Sequence, residues 1–72
     1  MQKFLRDAPE MFSKPQPGIV DETITLDQPG RVKFKGTYWP AKLFRGYDIT
    51  LEAGQEVLVI ARQVITLLVR PL

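Results

Sequence analysis

The chain has 72 residues, with ten basic against eight acidic side chains and a formal net charge of +2. Such a length supports one small domain, and the charge is far below the dense positive field of a dedicated nucleic-acid-binding protein. Cysteine and histidine are both absent, which removes disulfides, thiolates and the commonest general base and metal ligand at neutral pH. The composition therefore predicts no enzymatic catalysis, no metal site and no cofactor.

The first 17 residues contain three of the six prolines and no sustained hydrophobic period. We predict a flexible N-terminal arm over residues 1–17 and a single domain over residues 18–72. Four apolar side chains leave an alternative open, in which the arm forms a short amphipathic turn that docks on the domain or on another molecule: Phe4, Leu5, Met11 and Phe12.

From Gly18 onward, short runs of valine, isoleucine, threonine and aromatic residues alternate with glycine and proline about every ten residues, a pattern typical of small all-β domains. We predict five strands that close into an OB-like β-barrel. The first strand covers Val20 to Leu26, with Leu26 on its apolar face and Glu22 as an unexpected acidic residue on the barrel-facing side. A turn from Asp27 to Gly30 follows, with a positive φ at Gly30.

The segment from Gly30 to Ala41 predicts a hairpin made of the second and third strands, with its turn at Gly36-Thr37. Alternation along the strands gives this hairpin an apolar inner face, with Trp39 opposite Phe34, and a basic outer face. The inner face comprises Val32, Phe34, Trp39 and Ala41, and the outer face comprises Arg31, Lys33, Lys35, Tyr38 and Lys42.

The rest of the chain predicts a loop from Arg45 to Asp48, two apolar residues that plug the barrel, and two final strands. The strands cover Glu56 to Ala61 and Ile65 to Arg70, and both are apolar on both faces, which suits a tightly closed barrel. The plugging residues are Ile49 and Leu51, and the turns are predicted at Glu52 to Gly54 and at Arg62 to Val64, with Pro71 ending the last strand.

The best candidate contact surface is the basic outer face of the hairpin together with the following loop. Three interpretations remain open: an ordinary solvated face, a surface for a protein or acidic lipid, and a single-stranded nucleic-acid site of the OB type. The nucleic-acid interpretation needs several exposed aromatic rings, and the sequence offers few. The candidate residues are Arg31, Lys33, Lys35, Tyr38, Lys42, Arg45 and Tyr47.

The order of three motifs, PGRVKFKGTYWPA, AGQEVLVI and ITLLVRP, resembles the C-terminal soluble domain of NfeD-like proteins. The resemblance covers residues 24–72, and the sequence departs from the family pattern at Val64, where the family tends to place glycine before the last strand. The matching residues are Pro29, Gly30, Val32, Gly36, Trp39, Ala41, Gly54, Val57, Val59, Leu67, Val69 and Pro71.

The resemblance implies a five-stranded OB-like barrel that binds partners and has no catalysis of its own. In this family the domain usually follows membrane-spanning helices, sometimes with a serine protease domain ahead of them, and it is associated with stomatin-like and flotillin-like membrane scaffolds. This chain has no run of roughly 20 apolar residues and no secretory signal, so a stand-alone short form or an excised domain is expected. We therefore expect a cytoplasmic protein that meets a membrane through a stomatin-like or flotillin-like partner, with single-stranded nucleic acid as the alternative ligand.

Overall fold

The computed structural model describes residues 8–72, which form a closed barrel of five strands in the order β1-β2-β3-β5-β4. Neighbouring strands are antiparallel, except that β3 and β5 run parallel over three residue pairs. The five-stranded closed barrel predicted from the sequence is therefore confirmed. The strands are β1 (Glu10–Glu22), β2 (Gly30–Phe34), β3 (Thr37–Leu43), β4 (Glu56–Gln63) and β5 (Thr66–Pro71).

The inner core follows the alternation of side chains along each strand. Inward side chains are almost wholly removed from water, and the half-buried Trp39 packs against them from β3. Burial of an aliphatic side chain contributes about 1.5–3 kcal/mol, and no cysteine is present to supplement it. Packing is therefore the main source of this barrel's stability. The buried core comprises Val20, Ile24, Val32, Phe34, Ala41, Leu43, Leu51, Val57, Val59, Leu67 and Val69.

The β2–β3 hairpin turns at Lys35-Gly36, one residue earlier than predicted. Phe34 pairs with Thr37, and the two turn residues have φ angles of 52° and 81°. Positive φ at both central positions matches the twist of the flanking strands, and glycine at the second position favours it. As a result Trp39 lies opposite Val32 rather than opposite Phe34, which corrects the predicted aromatic pair but leaves the inner and outer faces as predicted.

Strand β1 begins at Glu10, so residues 10–17 of the predicted arm are part of the sheet. The strand pairs with β4 in two stretches, Glu10–Met11 and Gln16–Ile19, separated by a shift of register that contains Pro15. The Phe12 ring stacks on Phe34 with a centroid distance of 6.2 Å and an interplanar angle of 18°. The prolines therefore interrupt the pairing of this segment without preventing it. Residues 1–7, which include two of the four apolar residues of the arm, lie outside the described residues.

The end of β1 also differs from the prediction. The strand stops at Glu22, and a shift of register after Val20 turns Glu22 outward, where it is exposed. Ile24 then forms an isolated bridge with Leu51, whereas Leu26 is 56% exposed rather than on the inner face. The turn runs from Thr25 to Gln28, whose backbone groups bond to each other, and it precedes the predicted Asp27–Gly30 turn.

The C-terminal half needs three smaller corrections. Gln63 pairs with Thr66, so the β4–β5 turn is Val64-Ile65 rather than residues 62–64. Pro71 is the last residue of β5 and is paired with Val57. Leu51 is fully buried as predicted, but Ile49 is 41% exposed and does not plug the barrel. The Glu52–Gly54 turn is present, with a positive φ of 93° at Gly54.

Candidate interaction surface

The outer side of the β2–β3 hairpin carries one aromatic ring between two cations. The Arg31 guanidinium carbon lies 5.5 Å, and the Lys33 ammonium nitrogen 5.8 Å, from the centroid of the Tyr38 ring. Tyr38 is nevertheless 54% exposed. Cation–π contacts at exposed sites are weak, and they leave the Tyr38 ring on a surface that a partner can reach.

Arg31 is largely neutralised by acidic residues of β1. Its guanidinium lies 2.7 Å from an Asp21 carboxylate oxygen and 3.2 Å from a Glu22 oxygen. The hydrogen bond to Asp21 raises the pKa of Arg31 above its usual value, and the charge of Glu22 adds to the effect. The outward turn of Glu22 after the register shift creates this second contact. The unpaired positive charge of the hairpin therefore resides on its lysines.

Lys33 and Lys35 form no ion pair with any carboxylate of residues 8–72. Lys33 lies on β2, while Lys35 occupies the turn and places its ammonium nitrogen 5.5 Å from the centroid of the Phe34 ring. We call this group of side chains, Arg31, Lys33, Lys35 and Tyr38, the hairpin face. It combines an exposed ring with two available cations, which suits an acidic protein surface.

Lys42 and Arg45, also predicted as contact residues, lie at the other end of β3. Lys42 pairs in register with Leu68 of β5, and both cations line a groove of about 500 Å³ on the outside of the barrel. Neither forms an ion pair with a carboxylate of residues 8–72. Six of the seven predicted contact residues therefore divide between two places.

Tyr47 belongs to neither place, because it is half-buried and packs against the inner core. Phe44 is likewise half-buried, against the outer side of β4 and β5. Of the aromatic side chains that the sequence offered for base stacking, only Tyr38 is more than half exposed within residues 8–72. Successive bases of a single strand require several stacking rings, so this arrangement favours a protein ligand over a nucleic acid.

Sequence reasoning missed the groove, which is lined in part by Leu26, Phe44 and Leu68. The sequence predicts Leu26 on the apolar inner face of the first strand, whereas in the structure it is 56% exposed. The sequence does carry one signal for an apolar outer surface. Both faces of the last two strands are apolar, and only one face of a barrel strand can point inward.

Within residues 8–72 the structure contains no helix with the length and hydropathy needed to cross a membrane.

The family model described as "NfeD-like C-terminal, partner-binding domain" matches residues 16–71. Among solved structures, this chain is similar to the C-terminal domain of stomatin operon partner protein 1510-C from Pyrococcus horikoshii. The two are 29% identical with a TM-score of 0.64, over 76% of this chain and 80% of that one. No curated protein matches the sequence.

Proposed function

Because the chain belongs to the NfeD-like C-terminal, partner-binding domain family, we propose that it is a non-enzymatic module that binds a stomatin-like or flotillin-like membrane-associated protein. The observation that carries this proposal is the similarity to a stomatin operon partner protein, which extends over most of both chains. A cytoplasmic domain of this kind reaches the membrane through its partner.

The hairpin face supplies the first contact surface. Lys33 is an available cation beside the exposed Tyr38, and Lys35 is a second one in the hairpin turn. Tyrosine is enriched where one protein meets another because its ring is large and rigid and its hydroxyl is polar. Charged residues at the rim of an interface accelerate association and select partners of opposite charge. An acidic surface on the partner fits this face.

A non-enzymatic role agrees with the composition of the chain and with the positions of its acidic side chains. The chain has no histidine and no cysteine. Three carboxylates of β1 form surface ion pairs: Asp21 and Glu22 with Arg31, and Glu10 with Arg62 at 3.1 Å. General acid–base or nucleophilic chemistry requires such groups to converge on one reacting centre, and these pairs lie at separate places on the barrel surface.

The test is a binding titration of the purified chain with a stomatin-like protein from the same organism, with a flotillin-like protein measured in parallel. We expect saturable binding to one of them with a dissociation constant on the order of micromolar, as for transient interfaces. The double variant Lys33→Glu/Lys35→Glu should weaken it at least about tenfold through charge reversal. Absence of binding to either protein by the unaltered chain would overturn the proposed function.

A further inference from the structure

The outer side of the barrel carries an apolar cluster on β4 and β5, where solvent-facing side chains are expected. Ile60 is 8%, Ala61 0% and Leu68 4% exposed, and they form a cluster separate from the inner core. Phe44 and Leu58 pack against this cluster. Outward positions of a barrel in water are ordinarily polar, so a second apolar cluster outside the barrel requires an explanation beyond folding of the inner core.

A groove opens directly beside this cluster. It has a volume of about 500 Å³, within the range of natural binding pockets, and its lining includes Leu68, Phe44 and Leu26. Leu68 joins the groove to the cluster, while Leu26, in the turn after β1, is 56% exposed. The exposed Leu26 and the half-buried Phe44 leave apolar surface in the groove that a second apolar side chain can cover.

The charges around the groove have one sign. Lys42 and Arg45 are part of its lining, and no carboxylate belongs to the lining within residues 8–72. Both cations are exposed, and neither is paired with a described acidic residue. A ligand with apolar groups alone would leave these two charges unmatched, whereas an acidic residue next to an apolar anchor satisfies both features.

We propose that this groove holds a peptide segment of the partner protein in which leucine-like side chains stand next to glutamate or aspartate. The apolar side chain packs against Leu26 and Phe44 beside the buried Leu68, and the carboxylates meet Lys42 and Arg45. This inference rests on the proposed function, because it assigns a binding site for the partner in addition to the hairpin face. The groove would then be a second binding site of the domain, selective for an apolar side chain next to an acidic one.

The experiment compares two charge-reversing double variants in the titration with the stomatin-like or flotillin-like partner. Lys42→Glu/Arg45→Glu alters the groove, and Lys33→Glu/Lys35→Glu alters the hairpin face by the same total charge. All four positions are exposed, and the melting temperature of each variant verifies that it is folded. Leu26→Ser is a third variant that changes the groove without changing its charge.

We expect the groove double variant to bind at least about tenfold more weakly, which corresponds to about 1.4 kcal/mol of binding free energy, and Leu26→Ser to weaken binding several-fold. If neither groove variant weakens binding while the hairpin-face variant does, the groove proposal is overturned and the proposed function stands. Equal losses in the two double variants with no effect of Leu26→Ser indicate unspecific charge attraction, and they too contradict the groove.

A second experiment tests the groove independently of the partner, and it applies even if neither partner binds and the proposed function fails. A short synthetic peptide of leucine and glutamate is titrated into isotope-labelled protein, with a leucine–lysine peptide and a serine–glutamate peptide as controls. Chemical-shift changes that centre on Leu26, Phe44 and Leu68 and appear with the first peptide alone support the groove. Changes that centre on Lys33 and Tyr38, or no changes, overturn it.

Discussion

At the scale of single residues, the clearest local conflict between sequence and structure is Val64. It occupies the first position of the β4–β5 turn with a φ of 58°, a conformation that costs L-residues roughly 1–2 kcal/mol and is most unfavourable for a β-branched side chain. Hairpin turns that need a positive φ at this position usually use glycine. The departure from the family pattern noted in the sequence thus coincides with a strained backbone position.

Val64→Gly is therefore expected to stabilise the domain. Relief of the backbone strain exceeds the extra conformational entropy of glycine in the unfolded chain, and the net gain is about 0.5–1 kcal/mol. For a domain of this size that raises the melting temperature by about 2–8 °C in a thermal unfolding experiment. Ile65→Gly is the matched control, since Ile65 is equally exposed but has no positive φ, and it should lower the melting temperature.

Gly30 is needed for a reason other than the positive φ that the sequence suggested. Its backbone has no positive φ, but a Cβ atom placed on it would overlap the carbonyl oxygens of Glu22 and Thr23. Both obstacles are backbone atoms, which cannot rotate away. The glycine thus allows the end of β1 to pass close to the start of β2.

We expect Gly30→Ala to destabilise the domain by about 3 kcal/mol or more, the upper end of overpacking costs. Gly36→Ala provides the comparison, because the added Cβ there meets nothing within 4 Å and the cost is the positive φ alone, about 1 kcal/mol. Chemical denaturation of the two variants measures the difference. Equal losses would contradict the steric explanation for Gly30.

At the scale of elements, an aromatic contact fastens the first half of β1 where its backbone pairing is interrupted. Between Met11 and Gln16 the pairing with β4 is interrupted, and in that interval the Phe12 ring stacks on Phe34 at the barrel wall. Stacked aromatic pairs contribute roughly 0.5–1.5 kcal/mol beyond the burial of their surface. This contact holds a proline-rich segment against the sheet.

Phe12→Ala should cost about 1–3 kcal/mol, from half-burial of the ring and loss of the aromatic pair. It should also speed amide hydrogen exchange in β1 more than in β5, because the contact fastens the first half of β1. Met11→Ala is the control, since Met11 is 57% exposed and its truncation should change stability little. Unchanged exchange in β1 would contradict the fastening role of Phe12.

The strands themselves could be predicted from alternation, whereas the places where they shift could not. Val32 and Ala41 fall inside because side chains of a strand alternate, and this period is visible in the sequence. The bulge after Val20 changes the register without a local composition signal, so the sequence predicts Glu22 and Leu26 on the wrong side. The groove was missed for the same reason, because Leu26 reaches it only after the strand has ended. The prolines around the interruption of the β1–β4 pairing are visible in the sequence, but they indicate an unpaired arm rather than an interrupted strand.

At the scale of the whole molecule, the small net charge and the distribution of the basic side chains bear on the nucleic-acid hypothesis. Arg31 is paired with two carboxylates and Arg62 with one. The unpaired Lys33 and Lys35 belong to the hairpin, whereas Lys42 and Arg45 line the groove, so within residues 8–72 a single strand meets few unpaired cations at any one place. Each phosphate contact adds to the slope of binding against salt concentration. The arrangement predicts weak and sequence-independent association with single strands at most.

Titration with oligonucleotides at two salt concentrations tests this expectation. We expect little binding at physiological salt, and a salt dependence well below that of proteins with 6–10 phosphate contacts, which lose about 10³–10⁵ in affinity between 50 and 200 mM salt. The affinity for the stomatin-like partner, measured at the same two salt concentrations, should also fall much less than the affinity of such proteins for nucleic acid. Tight oligonucleotide binding with a steep salt slope would favour the OB-type nucleic-acid alternative.

The position of β5 between β3 and β4 has a consequence for synthesis of the protein. The barrel closes only when Thr66–Pro71 enters the gap between two strands that precede it. While these residues are still inside the ribosomal tunnel, the nascent chain exposes two unpaired strand edges and the apolar wall that they flank. Closure of the barrel is therefore expected to wait until Thr66–Pro71 has left the tunnel, and chaperones can cover the exposed edges until then.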